Sequence, residues 1–332
     1  MERLDAFMAR ANAAYYATHD PFRDFTTAPE ISQVFGEILG LWAAVVWQDL
    51  GAPDPVLLVE AGPGRGTLMA DALRAIRRAM PAFHAALRLH LIETSPRLRE
   101  VQGAVLPGAV WHDGLATLPQ MPLILLANEF LDALPIRQFV RRGDTRMERY
   151  IEDGRFVEVA VCESEPPFPL AGGEASSLPD GSILEHNESA RALVTALAHR
   201  LTTHQGASLF LDYGPAVSAP GDSLQALRAG KPADPLGPLG EADLTAHVDF
   251  AALAAAARTA GAAVHGPLPQ GVFLTRLGLF QRTGVLARAQ APTRAAALMA
   301  AASRLAEPDR MGRLFKALAL SSPQANALPG FA

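Results

Sequence analysis

Glu60, Glu93, Asp113, Glu129 and Asp212 each close a short apolar run, an arrangement that delivers acids from a core rather than scattering them over a surface. The clearest case is PLILLANEFLDALP (residues 122–135), where an unbroken apolar segment leads directly into Asn128, Glu129 and Asp132. A half-buried carboxylate costs several kcal/mol unless it meets a cation or hydrogen-bond donors. A sulfonium cofactor and a cationic nucleophile would both supply such a partner. Glu129, with Asp132 supporting and Asn128 beside it, is therefore the candidate catalytic group, holding a cationic nucleophile. The plainer reading is that Asp132 caps the following turn and Asn128 ties the loop.

A second motif lies upstream. VEAGPGRGT (residues 59–67) places Gly62, Gly64 and Gly66 between an apolar strand and a helix, where backbone N–H groups can approach a ligand closely. The spacing is G-x-G-x-G rather than G-x-G-x-x-G, and Glu60 stands just before the first glycine. Glu93, the acid at the next strand tip, follows Gly66 by more than the interval of roughly 20 residues expected for a nicotinamide-binding fold. Such an acid can accept both ribose hydroxyls. The pattern fits adenosylmethionine better than NAD, although an NAD-dependent oxidoreductase stays open as the alternative enzyme. No Gly-Lys-Ser/Thr follows, so a P-loop is excluded.

The elements that would position these groups are legible in the spacing. Thr27-Ala28-Pro29-Glu30 reads as a capping box opening an amphipathic helix that ends near Gly51. From Pro55 strands alternate with helices: PVLLVEAG, LRLHLIE, AVWHD, PLILLANEF and, later, ASLFLDYG. That alternation predicts an α/β fold with a parallel sheet wound right-handedly, and ligands then bind beyond the strand carboxyl ends. IRQFVRR, MERYIE and RFVEVAV alternate at period two around Gly143-Asp144 and Asp153-Gly154, which predicts a hairpin meander. Cys162 reads as a sheet residue of that run. A long flexible loop is expected over 215–240, and two Ala- and Leu-rich helices after Pro292. The resulting division is 1–50 helical cover, 51–138 cofactor-binding half, 139–186 meander and loop insertion, 187–290 remainder of the sheet, and 291–332 C-terminal helices.

Composition narrows the function classes. The 332 residues are 49% hydrophobic and 19% charged with a net charge of −5, so a large core is expected and a nucleic-acid-binding face is not. No apolar run reaches the roughly 20 residues of a membrane span. The N-terminal segment has no apolar centre, and the single cysteine excludes intrachain disulfides. Together they lead to the expectation of a cytoplasmic protein. The histidines show no ligand spacing, and no metal is expected.

The runs DFTTAPEISQVFGEILG, VEAGPGRGTLMADALR, IETSPRLREVQ, ANEFLDALPIRQF, LFLDYG and ADLTAHVDF resemble, in order, the MidA-type class I methyltransferases over roughly residues 10–320. Mitochondrial members of that family are complex I assembly-factor protein arginine methyltransferases. The resemblance implies a Rossmann-like methyltransferase sheet with an N-terminal helical cover, an inserted β-meander and C-terminal helices. It implies S-adenosyl-L-methionine as cofactor and a protein substrate methylated on arginine, a respiratory complex I subunit or a similar partner. Oligomeric state stays open, a homodimer being one option, as does a non-catalytic assembly module that keeps the fold. Carried over by residue, Gly62, Gly64 and Gly66 match the cofactor loop, with Glu60 before it, and Glu93 the ribose acid. His112 and Asp113 match the adenine flank, and Asn128, Glu129 and Asp132 the N-E-F-x-D-A-L-P motif. Asp212-Tyr213-Gly214 matches the late strand end. Arg23-Asp24-Phe25 stands where the family often has Gly-Asp-Phe. Tyr15, Tyr16, Thr27, Ser32 and Gln33 are candidates to close over the cofactor, with packing or capping as the alternative. His247 and Asp249 suggest a relay, against an N-cap role for Asp249.

Overall fold

A computed structural model describes residues 1–19, 26–161, 178–323, 325 and 327–331. Cys162 and the Arg23-Asp24-Phe25 turn lie outside the described residues. The chain forms two compact units. The larger contains Thr26–Phe130, Thr195–Tyr213 and Ala257–Ala332, and the smaller contains Met1–Phe25, Leu131–Val194 and Gly214–Ala256. Residues 1–50, read as one helical cover, are thus divided between the two.

The larger unit is built on seven strands: β1 Val56–Ala61, β2 Leu87–Ile92, β3 Val110–His112, β4 Leu123–Asn128, β5 Gly206–Tyr213, β6 Ala263–Pro269 and β7 Phe315–Ser321. Their spatial order is β6-β7-β5-β4-β1-β2-β3. β3, β2, β1, β4 and β5 run parallel, as expected from the strand–helix alternation, whereas β7 is antiparallel to both β5 and β6. The sheet is therefore mixed. β1, β4 and β7 are buried along their whole length, which is why their sequences are continuous apolar runs rather than alternations.

The expected pair of closing helices is only half present. Pro292–Ala306 is a helix, but KALALSS, part of the stretch read as the second, forms β7 in the interior of the sheet. A short apolar run does not distinguish a buried strand from a buried helix turn, and here pairing to β5 and β6 decides it. The helix Gln33–Asp49 packs closely on the helix Thr67–Ala79. At Gly36 and Gly40 an added Cβ would stand 2.7 Å from Asp71 Cβ and Ala72 Cα respectively, so only glycine admits this approach. The capping box is corrected as well. Thr27 makes no side-chain cap, the Glu30 carboxylate accepts from Thr67 Oγ1 at 2.5 Å, and the long helix is capped by Ser32, which accepts from Val34 N–H at 3.2 Å.

In the smaller unit the meander forms as expected from Arg137–Arg142, Thr145–Glu152 and Arg155–Ala160, and Glu2–Arg3 and Ile183–His186 complete a five-stranded sheet. The expected 215–240 loop instead contains a hairpin, Gln225–Arg228 with Lys231–Ala233, extended by Asp243–Thr245 into a three-stranded sheet. Ala229 and Gly230 supply its two left-handed turn positions. Asn12 joins this unit's helix Leu4–Thr18 to that sheet. It donates to the Ala133 and Leu244 carbonyls at 3.0 and 2.8 Å and accepts from Leu244 N–H at 3.0 Å.

Leu320 on β7 is fully buried. Leu320→Ala is expected to lower unfolding free energy by about 2–5 kcal/mol, read as a shift of the urea midpoint with unchanged m-value. A surface-like change below about 0.5 kcal/mol would contradict an interior strand.

Candidate active site

The order of strands in the larger unit places its functional crevice. The chain leaves β1 toward β2 and leaves β4 toward β5, so the sheet's winding reverses between β1 and β4 and a crevice opens beyond their carboxyl ends. Ala61 pairs in register with Ala127, which brings the Gly62–Gly66 turn alongside Asn128, Glu129 and Phe130.

Gly62, Gly64 and Gly66 have φ of +66°, +54° and +82°, backbone that side chains other than glycine's resist. At Gly62 a Cβ would lie 2.7 Å from Phe130 Cδ2. Gly66 precedes the helix Thr67–Ala79, whose positive amino-terminal end faces this turn. Glu60 is 3% exposed, and burial pushes its carboxyl up to about 8, against the one hydrogen bond it receives from Met69 N–H. Its Oε2 is buried with no hydrogen-bond partner among the described residues.

Glu93, just beyond β2, is half-buried and held in place from three directions. Ser95 N–H donates to Oε1 at 2.8 Å, Gln102 Nε2 donates to Oε2 at 3.2 Å, and Glu93 N–H donates to the His112 carbonyl at 3.0 Å. Burial raises the carboxyl above its usual range, and these donors partly offset the rise. Each carboxylate oxygen retains acceptor capacity for a hydroxyl. Gln102 was not singled out from sequence. It is fully buried, donates to the Gly64 carbonyl at 2.8 Å and accepts from Trp111 Nε1 at 2.7 Å, so one amide ties the glycine turn to Glu93. A polar residue at i+4 from Leu98, on the buried stripe of its helix, was the available signal.

His112 Nε2 lies 2.7 Å from His90 Nδ1, and its own Nδ1 is 2.9 Å from Thr117 Oγ1. Burial lowers both imidazoles, assisted at His90 by the neighbouring His112 and at His112 by Arg99. The pair is thus neutral at pH 7 and shares a hydrogen bond. Asp113 is largely exposed and pairs with Arg99 at 2.5 Å.

Asn128 is 7% exposed, and its Oδ1 is buried without a hydrogen-bond partner among the described residues. Its amide donates to Glu129 Oε1 at 3.0 Å. That same oxygen accepts from Ala28 N–H at 3.0 Å, at the start of the short helix Ala28–Ile31. Glu129 takes φ of +49°, a conformation unusual for a residue with a side chain. Glu129 N–H donates to the Leu211 carbonyl at 2.9 Å, and Phe130 N–H donates to Asp212 Oδ2 at 3.1 Å. Asp212 therefore braces the turn, a role not legible from its position in sequence.

Asp132 belongs to the smaller unit, where it is buried and its main-chain carbonyl accepts from Ala246 N–H at 3.0 Å. Tyr15 and Tyr16 lie in that unit too. Tyr15 is fully buried and stacks on His19, and Tyr16 donates to Asp243 Oδ1 at 2.9 Å, so both have packing roles. Gln33 bonds Glu37 at 3.1 Å. Asp249 caps the helix Phe250–Thr259 through Ala252 N–H at 2.9 Å, and His247 is exposed. A cavity of about 580 Å³, open to solvent, is lined by Glu185, His186, Asn187, Arg191, Asp249 and neighbours, all of the smaller unit; Glu60, Glu93 and Glu129 are not among its lining.

The larger-unit rim fits adenosylmethionine. It offers Glu93, an acid with spare acceptor capacity, a glycine turn at a helix amino-terminus, and two buried acceptors at the crevice that lack a donor among the described residues. Comparison with known proteins agrees. A family model for S-adenosyl-L-methionine-dependent methyltransferases matches residues 38–268. A Drosophila melanogaster relative named "Protein arginine methyltransferase NDUFAF7 homolog, mitochondrial" is 33% identical over 96% of this chain and 80% of its own length. The Homo sapiens relative, "Protein arginine methyltransferase NDUFAF7, mitochondrial", is 30% identical over 96% and 79%. A crystal structure of a Burkholderia thailandensis protein bound to S-adenosyl-homocysteine superposes with a TM-score of 0.78 at 27% identity, covering 99% of this chain and 90% of that one.

These relatives overturn the expected cytoplasmic location, because they are named as mitochondrial. A lone cysteine limits disulfides but does not distinguish one reducing compartment from another. No described helix is long and apolar enough to cross a membrane.

Glu93→Gln removes the charge and keeps the shape. It is expected to weaken S-adenosyl-homocysteine binding about 10–100-fold by calorimetry with unchanged circular dichroism, the range for a charged hydrogen-bond acceptor. An unaltered Kd would remove Glu93 from the cofactor site.

Proposed function

The chain belongs to the S-adenosyl-L-methionine-dependent methyltransferase family, and on that premise we propose that it methylates arginine side chains of a protein substrate. The observation that carries this reading is the set of relatives named as protein arginine methyltransferases, which match nearly the whole chain. The placement of Glu129 at the β4 end supports it chemically. A subunit of respiratory complex I is the substrate class implied by the family resemblance, and it is the first to test.

The bound cofactor supplies an electrophilic methyl group on a positively charged sulfur. The protein's contribution is to orient the guanidinium, exclude water and receive a proton. A guanidinium, with a pKa above about 12, is not nucleophilic until a nitrogen is relieved of its proton during attack. Glu129 accepts that proton as the nitrogen gains the methyl group. The Asn128 amide and the Ala28 N–H, both on Oε1, hold the carboxylate in one orientation, and Asp212 secures the backbone beneath it. The nicotinamide alternative falls with the family assignment, and the complete cofactor rim speaks against a non-catalytic module.

Glu129→Gln preserves an acceptor for Ala28 N–H but removes the base. Methylation of complex I subunits with labelled cofactor, read by mass spectrometry, is expected to fall about 10²–10⁴-fold, with cofactor affinity within about threefold. Full methylation by this variant would dismiss Glu129 as the proton acceptor, and no methylarginine with the wild type would dismiss the arginine reading.

A further inference from the structure

Among the described residues, Glu60 is an acid without a counter-ion. In register it sits between Leu91 on β2 and Leu126 on β4, and the one described donor to its carboxyl is the Met69 N–H from the first turn of the helix Thr67–Ala79. Asn128 lies two positions beyond Leu126, so strand alternation puts it on the same sheet face as Glu60. Glu60 Oε2 and Asn128 Oδ1 are thus two buried oxygens on one face at the crevice, each lacking a hydrogen-bond partner among the described residues. Glycine-turn backbone lies beside them, because Gly62 follows Ala61, the register partner of Ala127.

An ionised carboxylate here would bear a desolvation cost of several kcal/mol with no cation to offset it. Arg74 on the helix pairs with Asp71 and Glu37, while Glu93 and Glu129 at the ends of β2 and β4 are acids that disfavour a second negative charge. The neutral carboxyl is the stable form, in line with its upward displacement by burial. Two buried oxygens without a donor among the described residues, one of them on an acid, suit a cationic group carrying several donors.

We propose that Glu60 is a neutral acid in the free protein and loses its proton when the cofactor's ammonium group meets Glu60 and Asn128, so that cofactor binding releases one proton to solvent. The Glu60 O–H bond breaks, the proton leaves to the buffer, and the ammonium keeps all of its own protons while donating to Glu60 Oε2 and Asn128 Oδ1. The inference rests on the family's cofactor occupying this rim. Because the ammonium is common to adenosylmethionine and the demethylated product, both ligands carry the coupling. The sign follows directly: a proton bound only in the free protein makes affinity rise with pH, about tenfold per unit, until the free carboxyl ionises near pH 8. His90 and His112, lowered from 6.5, are neutral across the upper part of that range.

The test is calorimetric titration of the full chain with S-adenosyl-homocysteine at about pH 7 in phosphate and in Tris, whose ionisation enthalpies differ. The wild type is expected to release close to one proton per site, and Glu60→Gln none, with the binding heat still present. 5′-Methylthioadenosine, which lacks the amino-acid end, is expected to release none. Equal release from wild type and Glu60→Gln, or none from wild type, overturns the proposal; so does release by methylthioadenosine. If Glu60→Gln does not fold, difference infrared spectroscopy on the wild type replaces it. Loss of a protonated-carboxyl band on adding S-adenosyl-homocysteine is the expected result, and persistence of that band overturns the proposal. Absence of any binding heat would instead count against the cofactor reading itself.

Discussion

Pairing of β1 with β4 in parallel register is the constraint on which the cofactor rim depends. It places Ala61 beside Ala127 and so brings the glycine turn, with its left-handed backbone, against the Asn128–Phe130 turn. The close approach of the Phe130 ring, which leaves no room for a Cβ at Gly62, follows from that pairing. The two strands pair because both are apolar on both faces and are covered by helices. Their carboxyl ends are polar because the winding reverses there and leaves a crevice uncovered.

Around this seam the acids divide by how their charge is compensated. Asp212 is satisfied by backbone N–H groups of Phe130 and Tyr213, and Glu129 by a side-chain amide and the Ala28 N–H. Glu93 receives a backbone and a side-chain donor. Among the described residues Glu60 receives one donor and no cation, which is why burial dominates it. Acids alike in sequence position thus differ in the donors they receive, and the difference comes from what packs against each. A rim that has satisfied most of its acids internally leaves a small number of acceptors for a ligand, which is a physical basis for selectivity.

Much of this was legible in the sequence. The five parallel strands and the acids at their ends could be read because a doubly covered strand writes a continuous apolar run and a crevice writes polarity after it. The meander was legible through its period-two alternation. KALALSS was not, because a short apolar segment carries no period that separates strand from helix, and only pairing with β5 and β6 assigns it. Thr27 looked like the cap of the long helix, yet Ser32 takes that role after the short helix Ala28–Ile31 ends. Asp132 read as Glu129's partner by spacing, and the structure puts the two residues in different units.

The sequence by itself determined the residue types at the rim, the glycine spacing and the family, because these depend on local order along the chain. Tertiary structure alone decided which acids are braced, which is left neutral, and that Gln102 and Asp212 support the site. Those properties arise from donors contributed by segments far apart in sequence. A carboxyl's charge state depends on the donors and solvent around it, and neither is written at its own position.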